Sequence, residues 1–247
     1  MQHYFINSNL PDDHNIELPT DVAKHFVRVL RSEPGDQLEV VLNDHHVYLA
    51  ELTKIDGQQA VCHIIRDLNH NVELPVKISL ICGLPKQSKP EIIVQKSTEL
   101  GVNEIIFTQM QRSVVHWDNK ADKKISRLQE VAKSAAEQSH RNVVPKIKFA
   151  KQIADIDMDD YDVHVVAYEE SAKQGEQSNL SKAFSNMNSG DSAVFVIGPE
   201  GGVSDDEINH LSESQFISAG LGPRILRTET APFYVLAAAS YHFELSH

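Results

Sequence analysis

The sequence predicts an α/β protein built in two parts, a small β-rich part followed by a larger part of alternating strands and helices. Three observations carry this reading. Short runs rich in Val, Ile and Tyr, separated by turn residues, fill residues 1–66. From Val76 onward, apolar runs alternate with segments of helical periodicity. One of those runs, Ala193–Ile197, is apolar without alternation, as expected of a parallel strand covered on both faces.

In the first part the expected strands are His3–Ile6, Leu38–Leu42, Val47–Ile55 and Gln59–Arg66. Asp56-Gly57 supplies a hairpin turn, and Pro34-Gly35-Asp36 another. A short helix over Asp21–Leu30, capped by Thr20, lies between the first two strands. Many short strands with one helix suggest a small barrel. The run Lys24–Arg31 is a basic spot in an acidic neighbourhood. It suits phosphate contacts, or simply a helix end that favours cations. Residues 67–75 are polar, irregular and closed by Pro75, which reads as a linker.

In the second part, Val76–Cys82 is a strand, and the loop after it holds Lys86 and Lys89. Pro90 fits the first turn of a helix ending at Leu100, with Gly101 just past its end. Lys96 on that helix either runs along the surface or points into a site. Glu104–Thr108 is the next strand, followed by a loop with Arg112. A long helix, Asn119–Ser139, has Asn119 as its expected cap. Further strands are Val163–Ala167, Ala193–Ile197 and Phe216–Ala219, with loop and a weak helix over 169–191. The closing helix, Pro232–Leu245, is capped by Thr230 and expected to be largely buried, in a monomer core or a subunit interface.

The 247 residues are 41% hydrophobic and 23% charged, ordinary for a globular protein. No apolar run reaches about 18 residues and no signal peptide is seen, so a cytoplasmic protein is expected. Two cysteines, Cys62 and Cys82, fit reduced thiols. The histidines have no His-Glu-x-x-His spacing, so no metal site is expected. A net charge of −12 argues against a nucleic-acid partner until its distribution is read. Residues 1–76 carry −7, residues 77–151 carry +7, and residues 152–247 carry −12. Beyond roughly 8 Å charges are screened, so a polyanion docked on the middle third would feel that third. Alternatively, the excess only solvates two helices.

Ile197-Gly198-Pro199-Glu200-Gly201-Gly202 follows the apolar strand, and Ser204 with Glu207 has capping-box spacing, so a helix begins there. The glycines remove Cβ atoms where the chain must turn or approach a ligand. The loop lacks the Lys-Ser/Thr of a phosphate-binding loop and does not match Gly-x-Gly-x-x-Gly. A second glycine-containing stretch, Leu221–Ala231, leads into the closing helix.

Together with His25–Arg31 followed by Gly35-Asp36, Thr98–Val102, and Glu137-Gln138-Ser139-x-Arg141, these two stretches resemble the RsmE family of 16S ribosomal RNA uridine-N3 methyltransferases. The matches run in order over nearly the whole chain. The family start usually reads Met-x-Arg-x-Phe, and here His3 holds the arginine position. The resemblance implies a PUA-like RNA-binding β-barrel over residues 1–70. It implies a SPOUT domain over residues 76–247, an α/β fold with a C-terminal trefoil knot. It also implies S-adenosylmethionine as cofactor, a homodimer, and small-subunit 16S rRNA in an assembled particle as partner, with no metal and no membrane. Carried over residue by residue, the cofactor would be held by Gly198, Glu200, Gly201, Leu221, Gly222, Ile225 and Leu226. RNA would be met by Arg28, Arg31, Lys86, Arg112 and Arg141. Uridine N3 must lose its proton to become a good nucleophile; Glu200 or Glu229 is the candidate base, and Arg141 or Arg112 the candidate stabiliser of the anion.

Overall fold

A computed structural model describes residues 1–168 and 178–246. Part of the expected loop and weak helix over 169–191 therefore lies outside the described residues. The chain divides into two compact units. The first comprises Met1–Glu73 with Ala136–Val143, and the second Leu74–Ala135 with Val144–His247.

The first unit is built on a five-stranded sheet in the order β1-β3-β4-β5-β2. Its strands are β1 (Gln2–Phe5), β2 (Asn15–Glu17), β3 (Gln37–Val41), β4 (Val47–Asp56) and β5 (Gln59–Asp67). β1 pairs parallel with β3, and the other neighbours are antiparallel. Leu38, Val40, Ala50, Leu52 and Cys62 are fully or almost fully buried and centre the core. Gly57, at φ +62°, makes the β4–β5 turn that its sequence signals. The expected helix over Asp21–Leu30 is present in altered form. A short α1 (Thr20–Ala23) continues as a wider π-helical segment, Lys24–Val29, in which Leu30 N reaches back five residues to His25 O. Pro19, not Thr20, occupies the cap position, and no side chain caps the end.

The second unit holds a six-stranded sheet in the order β11-β9-β10-β6-β7-β8, parallel throughout. The strands are β6 (Lys77–Gly83), β7 (Glu104–Thr108), β8 (Lys146–Ala150), β9 (Val163–Ala167), β10 (Ser192–Ile197) and β11 (Ile217–Ala219). Strand alternation sends Ala193, Phe195 and Ile197 into one core layer and Val194 and Val196 into the other. This is why the run shows no polar alternation: both faces are covered. The helices are α2 (Lys89–Glu99), α3 (Ala121–Gln138, its last turn grouped with the first unit), α4 (Asn179–Ser185), α5 (Asp205–Glu213) and α6 (Thr230–Ser240), which runs on as a π turn over Tyr241–Leu245.

Local chemistry sets the ends. Gly101, at φ +88°, follows α2, and Val102 N closes back on Ser97 O at 3.0 Å. The Ser204–Glu207 capping box forms in full, with reciprocal contacts of 3.2 and 2.9 Å. Two other expected caps are displaced. Asn119 lies within a 3-10 turn before α3, and Thr230 is already the first residue of α6. The closing helix buries Val235, Leu236 and Ala239 but leaves Tyr234, Tyr241 and Leu245 exposed, so it is not buried all round. Strand β8 was not expected after Pro145; it is an edge strand whose Lys146 and Lys148 face solvent. Among the described residues, no helix is long and apolar enough to cross a membrane.

Glu73, read from sequence as a linker residue, anchors residues 141–143. Its carboxylate pairs with the Arg141 guanidinium and accepts from Asn142 N (2.9 Å) and Val143 N (3.2 Å). Arg141 is only 4% exposed. Removing one partner of a buried ion pair leaves the other uncompensated, so Glu73→Ala should lower unfolding free energy by about 3–5 kcal/mol. Urea denaturation checks this, and Glu73→Gln should recover part of the loss by still accepting the backbone N–H groups.

Candidate active site

All six strands of the parallel sheet end on the same edge, where open α/β sheets place their ligands. There the second unit has a cleft of about 890 Å³. One wall is the loop after β10, Gly198–Val203, which is turned into α5 by the capping box. The other is the stretch after β11, from Leu221 to Thr228. Arg112, from the loop after β7, and Lys89, at the start of α2, also line it.

The two walls are tied together. Thr228 Oγ1 donates to Gly198 O at 2.8 Å. A Cβ on Gly198 would stand 2.7 Å from Gly202 C and 2.8 Å from Val203 N, so only glycine fits that close approach. Gly222 sits at φ +81°, a conformation that glycine adopts without strain. Arg112 Nη1 donates to Val203 O (3.1 Å) and Gly201 O (3.3 Å), so its guanidinium holds the first wall.

Lys89 is the electrostatic centre. Its Nζ lies 2.9 Å from Glu200 Oε1 and 3.0 Å from Glu229 Oε2. Glu200 also accepts from Lys86 N at 3.0 Å. Burial pushes the Glu200 carboxyl up, but the Lys86 N–H and the Lys89 ammonium outweigh it and hold it below the usual range. Glu229 is likewise pushed up by burial and held down, on balance, by its own backbone N–H and Lys89. The hydrogen bond that Lys89 donates to Glu200 holds the Lys89 ammonium above its usual range. All three groups are therefore charged at neutral pH, and two acidic residues from different loops share one cation.

The structure brings all seven expected cofactor residues to this cleft: Gly198, Glu200, Gly201, Leu221, Gly222, Ile225 and Leu226. Glu229 reaches it through Lys89. Arg141, expected to act on substrate, belongs to the first unit, where it is buried and bound to Glu73. Of the other expected RNA contacts, Arg28 and Arg31 are exposed on the first unit, and Lys86 is exposed in the loop after β6. Lys96 pairs with Glu99 at 2.8 Å, an ordinary surface contact. Sequence reasoning did not single out Lys89, Arg224, Arg227 or Thr228 as cleft residues. Three of them lie in the quoted Leu221–Ala231 stretch, whose paired arginines were the available signal.

Comparison with known proteins fits this geometry. Residues 72–240 match the family model of an RNA methyltransferase domain, and residues 18–65 that of an RNA methyltransferase PUA domain. The chain is 43% identical to ribosomal RNA small subunit methyltransferase E of Bacillus subtilis, over 99% of this chain and 98% of the relative. This chain belongs to the ribosomal RNA small subunit methyltransferase E family. A member from Neisseria gonorrhoeae, solved bound to S-adenosylmethionine, is 28% identical with a TM-score of 0.80, covering 97% of both chains. The crystal structure of a hypothetical protein is similar at 39% identity and a TM-score of 0.92, over 100% of both chains.

The shared cation gives a pH test. A carboxyl held below its ordinary value of 4.5 contributes stability that is full above that value and is lost as pH falls through the depressed one. The stability advantage of the natural chain over Lys89→Met should therefore be constant from neutral pH down to about 5 and shrink below 4.5. Thermal unfolding of both proteins across that range measures it.

Proposed function

We propose that this chain transfers a methyl group from S-adenosylmethionine to N3 of a uridine in 16S rRNA, acting on the assembled small ribosomal subunit. The observation that carries the reading is the cleft at the carboxyl edge of the parallel sheet, where two glycine-containing loops stand face to face. Its residues fit an adenosyl group. Gly198 and Gly201 let the loop fold tightly against Val203 and Arg112, where a Cβ would clash, and Leu221, Ile225 and Leu226 supply apolar surface. Bound there, the cofactor supplies a methyl group already activated on a sulfonium. The chain must hold the uracil in line with that methyl, favour the N3 anion and exclude water.

Glu200 and Glu229 are ionised and neutralised by Lys89, which makes both weak bases. We assign them the task of fixing the two loops. The anion-favouring charge comes from Arg224 and Arg227, which line the cleft; Arg227 also helps to hold the Glu229 carboxyl down. Cationic groups beside the uracil lower the cost of losing the N3 proton, which passes to solvent as the base enters and before water is excluded. The target base leaves its stack to enter. Arg28 and Arg31 of the first unit, and Lys86 of the second, contact RNA phosphates.

The same reading extends to architecture. The first unit is a PUA-like barrel, supported by its five-stranded order. Residues 76–247 form the SPOUT domain, with the two cleft loops belonging to its trefoil knot; the Thr228–Gly198 bond between them supports this. The protein acts as a cytoplasmic homodimer, supported by the exposed Tyr234, Tyr241 and Leu245 of α6 and its π turn.

The deciding experiment transfers labelled methyl from S-adenosylmethionine to small-subunit particles lacking the modification, then digests the RNA to nucleosides. The expected product is 3-methyluridine. A 2′-O-methylated nucleoside would overturn the specificity, and absence of S-adenosylmethionine binding in calorimetry would overturn the whole reading. Equal methylation of protein-free rRNA would remove the assembled-particle requirement. Arg227→Ala should lower kcat by about 10²-fold, the scale of one lost charge-stabilising group, with little change in cofactor affinity. Arg28→Glu and Arg31→Glu should each reduce the slope of log affinity against log salt by about 1, read by RNA binding at several salt concentrations.

A further inference from the structure

In the first unit, three side chains with metal-ligating chemistry converge, although they are far apart in sequence. His3 lies on β1, Glu39 on β3 and His140 just after α3. The parallel β1–β3 register places His3 opposite Glu39. His3 Nδ1 is 2.9 Å from Glu39 Oε2, and His140 Nδ1 is 2.7 Å from the same oxygen. The three donor atoms all lie within 4.8 Å of one another.

The surroundings suit a metal as well as the ligands do. The His3 side chain is fully buried, and its Nε2 donates to Arg141 O at 2.9 Å. A ligating histidine usually donates its other ring N–H to a carbonyl or carboxylate in this way, which fixes the ring and aims the free nitrogen. The Arg141 carbonyl is itself held, because its guanidinium is bound to Glu73. Glu39 is 13% exposed and His140 42%, so the cluster meets water mainly at His140.

We propose that His3, Glu39 and His140 bind one divalent first-row transition metal, zinc in the first instance, with water completing the coordination. Two imidazoles and a carboxylate are a common donor set for such ions. Zinc–ligand bonds of about 2.0–2.2 Å separate tetrahedral donors slightly more than the hydrogen-bonded contacts seen here. The exposed His140 ring has room to supply that movement. His3 Nε2 is engaged by Arg141 O, which leaves Nδ1, on the Glu39 side, as the nitrogen that would meet the metal. The site would pin β1, β3 and residue 140 together. It is independent of the methyl-transfer reading, because none of its ligands lines the cleft. Histidine spacing could not reveal it, since the ligands meet only through strand pairing. The residue that creates it is the one that departs from the family's usual arginine, which cannot ligate a metal.

The test uses the full chain without an affinity tag, stripped with a chelator, then titrated with zinc chloride in calorimetry and with cobalt(II) by visible absorption. The expected result is one saturable equivalent, a d–d band of imidazole–carboxylate cobalt, and a raised thermal midpoint with zinc. His140→Ala, which changes an exposed ring, should keep the fold by circular dichroism and weaken that equivalent by more than roughly 100-fold, beyond the effect of an outer-shell partner. His3→Arg should do the same. No saturable equivalent in the natural chain would overturn the proposal, as would an equivalent that survives both substitutions.

Discussion

The second unit depends on one constraint: β10 lies between β6 and β9 with both faces covered. A strand in that position cannot present a polar side chain, so its chemistry is moved to its end. Ile197 is the last residue of the strand, and the next six residues are the cleft wall. Because every neighbour is parallel, the loops after β6, β7 and β11 are delivered to the same edge. The sheet itself does nothing chemical. It sets where Lys89, Arg112, Gly198 and Leu221 can meet.

How firmly they meet is decided by a few polar contacts. Loops leaving parallel strands have no ladder bonds to each other, and without cross-links they would open independently. Here the Thr228–Gly198 bond joins backbone to side chain, the Arg112 guanidinium bonds the first wall, and Lys89 joins Glu200 to Glu229. Two carboxylates this close to one cation are a stable group with little basicity. On the proposed function, the catalytic weight moves from Glu200, Glu229 and Arg141, where the sequence put it, to Arg224 and Arg227 in the cleft lining. It also explains why Glu200 stands in a glycine loop: it carries the charge that lets a flexible segment be held by a lysine on another element.

Much of this was legible in the sequence, for identifiable reasons. β7 and β9 match their expected spans because central parallel strands are continuous apolar runs with sharp ends. The capping box at Ser204 was legible because its chemistry is local. β8 was not, because an edge strand with alternating lysines looks like solvated loop beside a proline. The three-residue β2 is too short to show a period. The π-helical segment over Lys24–Val29 is a shift of hydrogen-bond register that no periodicity over six residues can reveal. The Glu73–Arg141 pair and the Lys89 bridge join residues 68 or more positions apart, so nothing local announced them. The glycine loops were legible as a site, but which charged residue would do which work was not.

The charge pattern of the whole chain takes on a different meaning once the cleft is known. Residues 152–247 carry a net −12, which reads as a surface hostile to RNA. Yet the cleft that this segment helps to build is lined by Lys89, Arg112, Arg224 and Arg227 against only Glu200 and Asp205. Two of the segment's few cations are spent there, while most of its acidic residues lie outside the lining. At physiological salt the distant negative charges are screened over roughly 8 Å, so an entering base responds to the lining and not to the sum. A negative exterior around a locally positive cleft disfavours indiscriminate adsorption of polyanions while still favouring an anion that has already reached the site. On the proposed function, selectivity for a presented base over bare nucleic acid would follow from where the chain puts its arginines.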